Sequence, residues 1–158
     1  MPQTTIEKLF FMALTVLISV LAFTVYNVAI TIGSMSNKVF LLALREVPIE
    51  FALAFSIEAI FANKMSLRMA SRIVDLNKDK EIVIILAITA MTICIMCPAM
   101  SFAATILYNG INNEFISNWL QKIKNNFPFA FFTQIFFIGP FVRFVFKGVF
   151  RNKKNFAI

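Results

Sequence analysis

Histidine is absent from the 158 residues, and glycine occurs only four times. Without imidazole, the chain cannot ligate haem through histidine, build a histidine zinc site or use histidine in acid–base chemistry. It also lacks a glycine-rich phosphate-binding loop, which excludes ATP coupling within this chain. The two cysteines, Cys94 and Cys97, lie inside an apolar run. They therefore do not form the disulfide framework of a small secreted domain.

Charged residues are also scarce: they make up 15% of the chain, against 59% apolar residues, with 20 phenylalanines. Ordinary soluble domains contain about 45–50% apolar and about 25% charged residues. A soluble fold of this size could not bury so much apolar surface, which excludes disorder, fibrous repeats and a cytosolic enzyme. We therefore predict an all-α integral membrane protein that is not an enzyme and needs no cofactor.

Four segments are long enough to cross a hydrocarbon core of about 30 Å, which takes about 20 helical residues. The predicted spans are 9–32, 39–62, 82–108 and 115–146. The first is too long for a cleaved signal peptide, whose apolar region has about 7–15 residues, so we interpret it as a retained helix. The polar first third of the fourth segment leaves its starting point open.

Lysine and arginine determine the expected orientation, because cytoplasmic loops are enriched in both. Positive charges cluster in the middle connection and at the C-terminal end: Lys64, Arg68, Arg72, Lys78 and Lys80 in the former, and Arg143, Lys147, Arg151, Lys153 and Lys154 in the latter. The two short links, 33–38 and 109–114, carry one positive charge and none. We predict that both termini and the middle connection are cytoplasmic, and that Lys64, Arg68 and Arg72, at i, i+4 spacing, lie on an extension of the second helix near anionic headgroups.

A short pattern recurs at an offset of 76 residues: Phe51-x-x-Ala54-Phe55-x-x-Glu58 returns as Phe127-x-x-Ala130-Phe131-x-x-Gln134. The same offset places the first span over the third and the second over the fourth. This predicts two copies of a helical hairpin, residues 1–80 and 81–158. Because each copy has two spans, both insert the same way up, as parallel repeats about an axis along the membrane normal.

Several motifs are similar to those of a known family: Gly33-Ser-Met35-Ser-Asn37, Glu46-x-Pro48-Ile49, Ala54-Phe55-x-x-Glu58, Cys94-Ile-Met-Cys97-Pro98-x-Met100-Ser101, Trp119-Leu-Gln121, Asn126-Phe-Pro128-x-Ala-Phe131-x-x-Gln134 and Gly139-Pro140-x-x-Arg143. With these, the chain resembles the small bacterial membrane proteins of domain of unknown function 2798. The resemblance implies a four-helix protein of the cytoplasmic membrane with a tandem two-helix unit. It implies no activity.

The chain is also distantly similar to the proteobacterial antimicrobial compound efflux family, which duplicates a two-helix unit at about this length. Members of that family carry a carboxylate in the first helix, with arginine and histidine nearby. Here the first span has no acidic residue and the chain has no histidine. The efflux mechanism is therefore not carried over to these residues.

An acidic stripe on the second span is the strongest candidate site. At 100° per residue, Glu46, Glu50 and Glu58 lie within an arc of about 120°. Glu50 falls near the middle of the span, where a charged carboxylate costs about 2.5–3.5 kcal/mol on insertion scales. Such a group faces the bundle interior or a wet cavity. It is either a site for a proton or cation, or one half of a structural pair, for example Glu46 or Glu50 with Lys122.

The fourth span presents a matching polar face, with Asn118, Gln121, Lys122 and Asn125 at i, i+3, i+4 and i+7. The repeat places Asn126 opposite Glu50 and Gln134 opposite Glu58. Amides facing carboxylates form either a polar cavity between two halves or interhelical hydrogen bonds worth about 0.6 to 2 kcal/mol each. Both interpretations remain open at this point.

The third span carries a sulfur-rich face, with Met91, Cys94, Cys97 and Met100. Soft sulfur ligands suit Cu(I), and a Cys-x-x-Cys pair can be redox-active. Cysteine and methionine are also common packing residues in apolar helices. We predict no metal site, and keep Cys94 and Cys97 as the one alternative.

Two functions from different classes fit these observations. The first is a small secondary transporter or exporter of an unidentified ion or small molecule, with Glu50, Glu46 and Glu58 binding the proton or cation. Because four spans are few for a transport path, we expect a homodimer. The alternative is a membrane accessory or scaffold protein whose polar residues serve helix association. A nucleic-acid partner is not expected, and the lipid bilayer is.

Overall fold

The structure is a computed structural model that describes residues 5–75 and 78–151. These residues form four long helices, and within these two ranges there is no strand. The first helix is Thr5–Ile32 and the third is Glu81–Asn109. The second runs without a break through Asn37–Ile57, a π-helical turn at Glu58–Ala62, and Asn63–Ala70. The fourth runs likewise through Phe115–Phe132, a π-helical segment at Thr133–Ile138, and Gly139–Arg151.

The all-helical prediction is confirmed, and the helix ends lie close to the expected ones. The first helix ends at Ile32 and the fourth begins at Phe115, as predicted. The second continues past the expected residue 62 to Ala70, so it includes Lys64 and Arg68. The predicted extension is wrong for Arg72, which lies in the turn that follows, because the helix ends at Ala70. The predicted positive charges at Lys153 and Lys154 fall outside the described residues.

Glycine ends the two uninterrupted helices in the same way. Gly33 and Gly110 have φ angles of 77° and 68°, which are the positive values that only glycine adopts readily. Each backbone N–H closes the last turn, Gly33 on the Ala29 carbonyl at 2.9 Å and Gly110 on the Ile106 carbonyl at 3.2 Å. The two short links, 33–36 and 110–114, therefore lie at one end of the bundle, called here the short-link end.

Successive helices pack side by side, and the fourth returns to the first. The first and second form one hairpin, and the third and fourth form the other. The Asn63–Ala70 segment of the second helix packs on the third, and Gly139–Arg151 packs on the first. The main apolar cluster joins Val16 and Val20 of the first helix to Val47 and Ala54 of the second. Met96 and Met100 of the third helix pack against this cluster.

The outside of the bundle carries large apolar side chains, such as Leu41, Ile49, Phe136, Phe137 and Phe144. A water-soluble monomer rarely exposes so many, because each exposed apolar area is unfavourable in water. Within the described residues, three helices are long and apolar enough to cross a membrane, namely the first, the third, and the fourth over Phe115–Val149. These features are those of a membrane-embedded all-α protein. The second helix is also long enough, but its charged residues keep it from meeting the same standard of apolar composition.

The two hairpins bury equivalent positions. In the second helix Glu50, Ala54, Ala62 and Ser66 are buried, and in the fourth Asn126, Ala130, Ile138 and Val142 are buried, each 76 residues later. The π-helical segments begin at Glu58 and Thr133, within one residue of the same offset.

The first and third helices do not follow the single offset that the sequence predicted. Their buried residues are Val16, Val20, Thr24 and Val28 in one, and Ile93, Cys97, Ser101 and Thr105 in the other. These positions, like Gly33 and Gly110, are 77 residues apart. The stretch from Gly110 to Asn126 is one residue shorter than the stretch from Gly33 to Glu50. The first and third helices are therefore related by an offset of 77 residues, and the second and fourth helices by an offset of 76.

Candidate functional site

Glu50 lies on the buried stripe of the second helix. The other members of this stripe are small or apolar: Val39, Ala43, Val47 and Ala54. Spacings of three and four residues place all of them on the face that packs against the other helices. The Glu50 side chain is 9% exposed, so its carboxyl group is almost removed from solvent. The sequence-based prediction that Glu50 faces the bundle interior is therefore supported by its position.

Two hydroxyl groups hold the Glu50 carboxyl group. Thr24 of the first helix, which is fully buried, places its Oγ1 2.6 Å from Glu50 Oε2. Tyr108 of the third helix donates from its hydroxyl to Glu50 Oε1 at 3.1 Å. Three helices thus meet at one carboxyl group, and neither hydrogen-bond partner carries a formal charge.

Lys122 does not pair directly with Glu50, contrary to the structural alternative considered from the sequence. Its ammonium group donates to the Ala104 carbonyl at 3.3 Å and to Asn109 Oδ1 at 3.0 Å. It also lies 5.5 Å from the centroid of the Tyr108 ring. Because Tyr108 lies between the ammonium and the carboxyl, the two groups act on each other electrostatically but form no ion pair.

Glu46 and Glu58 are less buried than Glu50 and differ from each other. Both are partly exposed. Glu46 is close enough to act electrostatically on Glu50 and Tyr108. Glu58 begins the π-helical turn, and within the described residues its carboxyl forms no hydrogen bond or ion pair. Glu46 and Glu50 therefore both act on Tyr108, whereas Glu58 lies apart from them on the same stripe.

The polar residues of the fourth helix separate into inward and outward groups. Asn126 is 8% exposed, and its Oδ1 has no hydrogen-bond partner among the described residues. Asn118 is half-buried, whereas Gln121 and Asn125 are exposed. The predicted continuous cavity face is thus wrong for Gln121 and Asn125. The reason is that the helix turns this edge away from its neighbours while Lys122 and Asn126 turn inward.

Gln134 is not opposite Glu58 in a shared site. Its Oε1 accepts a hydrogen bond from Ser19 Oγ of the first helix at 3.0 Å. The predicted pairing is wrong because Gln134 reaches the first helix. Its π-helical segment packs on both the first and the third helices, whereas the one that begins at Glu58 packs on the third.

The two thiols of the third helix occupy different environments. Cys94 is exposed, Cys97 is buried, and neither is in a disulfide. Trp119 lies beside this part of the helix and donates from its indole nitrogen to the Pro98 carbonyl at 3.0 Å. Trp119 therefore packs against the proline-containing part of the helix. Because Cys94 is exposed and Cys97 is buried, the two thiols do not share a buried face.

An open apolar groove of about 590 Å³ lies at the short-link end, away from Glu50. Tyr26 of the first helix and Phe129 of the fourth form its wall, with their rings stacked at 3.9 Å. Glu50 is not among the residues that line it.

Thr24 and Tyr108 are the two site residues that the sequence analysis missed. Both carry a hydroxyl group within or at the end of a predicted apolar span, and that is the signal that could have identified them. Hydroxyl side chains inside such spans either bond their own helix or reach a neighbouring one. Only the packing register distinguishes Thr24, which reaches Glu50, from Thr31, which bonds the Asn27 carbonyl of its own helix.

Together, the fold and the site define a helical membrane-type protein with a buried, hydroxyl-bonded carboxyl group. Residues 80–150 match a family described as a domain of unknown function, DUF2798. The match covers the third helix and almost all of the fourth, which is one hairpin. The whole chain is also 27% identical to an uncharacterised protein of Bacillus subtilis, YybC, over the full length of both. No solved structure matches the chain. The likeness to the efflux family stays a prediction.

Proposed function

We propose that this protein is a small secondary transporter or exporter of the bacterial cytoplasmic membrane, and that Glu50 is the group that couples transport to an ion. The observation that carries the proposal is the burial of Glu50 where three helices meet, with hydroxyl partners and no ion pair. A carboxyl group that only stabilised the fold would be expected to pair with Lys122, its nearest cationic candidate. Glu50 instead keeps a titratable group available.

The cost of burying Glu50 supports a functional role. An ionisable group near the middle of a membrane is unfavourable by about 2.5–3.5 kcal/mol, and by more in simulations. Replacing it with an apolar residue such as the neighbouring Val47 or Ala54 would remove that cost. Groups of this kind commonly mark ion pathways and proton relays in membrane proteins.

We further propose that the second helix is a fourth membrane span, and that both termini are cytoplasmic. Its ionisable Glu50 faces inward, whereas Leu41, Leu44 and Ile49 face outward. It also packs between the first and third helices, which are themselves apolar enough to span. Because the second helix packs along two helices of membrane-spanning length, we expect it to lie at the same depth in the membrane as they do. The orientation rests on the lysine and arginine distribution.

The proposed architecture is a tandem duplication of one helical hairpin. Support comes from the equal buried positions in the second and fourth helices and from the two π-helical segments at matching places. π-helical turns are rare and often occur at functional sites, so a matched pair is an unusual coincidence. The DUF2798 match, which covers one hairpin, fits a repeating unit of that size.

A homodimer and an ion or small-molecule substrate complete the proposal. Four helices enclose little space, and the groove at the short-link end does not reach Glu50. A transport path around Glu50 would therefore be completed by a second copy or by helix movement. We propose no enzymatic activity, cofactor or nucleic-acid partner.

The alternative function is that of a membrane accessory or scaffold protein. The hydrogen bonds from Ser19 to Gln134 and from Trp119 to the Pro98 carbonyl favour it, because each joins two helices without any titratable group. On this interpretation the hydroxyl bonds at Glu50 would also serve helix association alone.

A flux assay separates the two functions. The purified protein is placed in liposomes containing a pH-sensitive dye, and a pH gradient is imposed in the presence of sodium, potassium or ethidium. We expect the protein to dissipate the gradient with at least one of these cations, and the Glu50→Gln variant to fail. Glu114→Gln, which changes an exposed carboxylate at the short-link end, is the matched control. Failure of both proteins to dissipate the gradient with any cation would favour the scaffold, whereas equal dissipation by both would show that Glu50 is not the coupling group.

A further inference from the structure

The Thr24 hydroxyl makes two short contacts but has a single proton. Its Oγ1 lies 2.7 Å from the Val20 carbonyl oxygen of its own helix and 2.6 Å from Glu50 Oε2. A hydroxyl group donates one hydrogen bond and accepts others. Thr24 can therefore donate in only one of the two contacts, and the other contact needs a proton from its partner. The Val20 carbonyl has no proton, so it cannot be that partner.

Counting protons distinguishes the two charge states of Glu50. If Glu50 is ionised, the single Thr24 proton can fill only one of the two contacts. When Thr24 donates to the carboxylate, its oxygen faces the Val20 carbonyl oxygen with no proton between them. When Thr24 donates to Val20, its oxygen faces Glu50 Oε2 with no proton between them. If Oε2 carries a proton, Glu50 donates to Thr24, Thr24 donates to Val20, and Tyr108 donates to Oε1. Every short oxygen–oxygen contact then contains one proton. The heavy-atom geometry is thus satisfied by the neutral acid and not by the anion.

The surroundings of Glu50 are consistent with a neutral acid. On its own helix, Glu46 is the nearest charged group and disfavours a second negative charge. The third helix presents Tyr108, and the fourth presents Lys122, whose ammonium is held by Ala104 and Asn109. The first helix presents only the Thr24 hydroxyl. The Lys122 ammonium acts in favour of the carboxylate, but no described cation lies at ion-pair distance from it.

We infer that the ion bound at this site is a proton, that the structure holds Glu50 as the neutral acid, and that Thr24 is the positioning residue that accepts its hydrogen bond. This deepens the proposed transport function and rests on it for its biological meaning. A metal cation is disfavoured because the described residues bring no three histidine, cysteine, aspartate or glutamate side chains together to ligate one.

Loss of the proton would change the hydrogen bonding of the first helix. The proton leaves Oε2 to water, and the Thr24 O–H turns from the Val20 carbonyl to the carboxylate. No other proton is gained or lost in this step. The Thr24 hydroxyl therefore adopts one orientation for each charge state of Glu50, and it links that state to the backbone of the neighbouring helix.

Infrared difference spectroscopy tests the inference without requiring transport. The purified wild type and Glu50→Gln are compared at neutral pH, with Glu58→Gln as a second carboxyl control. We expect Glu50→Gln to remove a carboxylic-acid C=O stretching band that remains in Glu58→Gln. Loss of carboxylate bands only, with no acid band removed, would overturn the inference.

Two hydroxyl variants then test the assigned geometry. Thr24→Val and Tyr108→Phe are each expected to shift the Glu50 acid band. The matched control is Thr105→Val, because Thr105 is equally buried and bonds the Ser101 carbonyl at 2.7 Å but has no carboxyl partner. An unshifted band in Thr24→Val, or an equal shift in Thr105→Val, would refute the role of Thr24.

A third measurement covers the case in which Glu50→Gln does not fold. Wild-type protein labelled with ¹³C-glutamate shifts every glutamic-acid band, and Tyr108→Phe in the labelled protein identifies the one that belongs to Glu50. A labelled acid band that responds to Tyr108→Phe supports the inference, and the absence of any labelled acid band at neutral pH contradicts it. If the acid band is present but the liposomes show no flux, transport fails and the proton assignment stands. If flux occurs while Glu50 is ionised, the transport function stands and the proton assignment fails.

Discussion

Replacing Glu50 with glutamine is expected to lower the stability of the protein only modestly. A glutamine amide has the shape of the neutral acid: its oxygen accepts from Tyr108, and one N–H donates to Thr24, which keeps its bond to Val20. No hydrogen bond of the neutral acid is lost, but the second N–H of the amide is an added donor without an assigned acceptor. We therefore expect the unfolding free energy of Glu50→Gln to fall by no more than about 2 kcal/mol.

Removing the partner of Glu50 should be more damaging than changing Glu50 itself. Thr24→Val keeps the side-chain shape but leaves the buried donor of Glu50 without an acceptor. An unsatisfied buried group costs about 1–3 kcal/mol. Thr105→Val is again the matched control, because it removes only a bond to its own helix. We expect that control to cost less than about 1 kcal/mol, since such bonds contribute little to helix stability.

A direct pair with Lys122 would give a different result. Breaking a buried ion pair by removing one partner costs about 3–5 kcal/mol, and Glu50→Gln combined with Lys122→Gln would recover most of it. Because Lys122 is bonded to Ala104 and Asn109, we expect weak coupling between positions 50 and 122. A double-mutant cycle by thermal or SDS unfolding in detergent measures this coupling. A loss of about 3 kcal/mol or more in Glu50→Gln, restored in the double variant, would refute the reasoning.

Three further predictions concern packing and orientation. Gly139→Ala should destabilise the protein by about 1–3 kcal/mol, because its Cβ would lie 2.9 Å from the Gln134 carbonyl oxygen. Gly148→Ala, where nothing lies within 4 Å, should be neutral or stabilising by up to about 1 kcal/mol; equal melting shifts of the two variants would argue against the π-helical geometry. Ser19→Ala should lower stability by about 0.6–1.7 kcal/mol by removing the bond to Gln134, and an unchanged melt would show that this contact contributes nothing. In a background without native cysteines, a cysteine at residue 112 should be labelled from outside intact cells and one at residue 79 should not; the opposite pattern would reverse the orientation.

The sequence predicted the helices well because the relevant information is local. A run of apolar residues of membrane length, closed by a glycine such as Gly33 or Gly110, determines a helix and its end without reference to any other segment. The same applies to the inward position of Glu50, since an ionisable group on an otherwise apolar stripe is stable only away from lipid. The extension of the second helix to Ala70 followed from the same periodicity.

The partners of Glu50 could not be predicted in this way. Local periodicity assigns a residue to a face of its own helix, but it does not determine which turn of a neighbouring helix that face meets. The repeat offset of 76 describes the second and fourth helices, whereas the first and third are in register at 77. A one-residue difference rotates a helix by about 100°, which changes the contact partners completely.

The sequence by itself determined that this is a helical protein suited to a membrane, with carboxyl groups on the inner face of its second helix. Only the tertiary structure decided that Glu50 is bonded to Thr24 and Tyr108, that Lys122 is held behind Tyr108, and that Gln121 faces outward. The physical reason is that hydrogen bonds act over about 3 Å. Their partners depend on the depth and rotation of whole helices, which are set by side-chain packing along their full length.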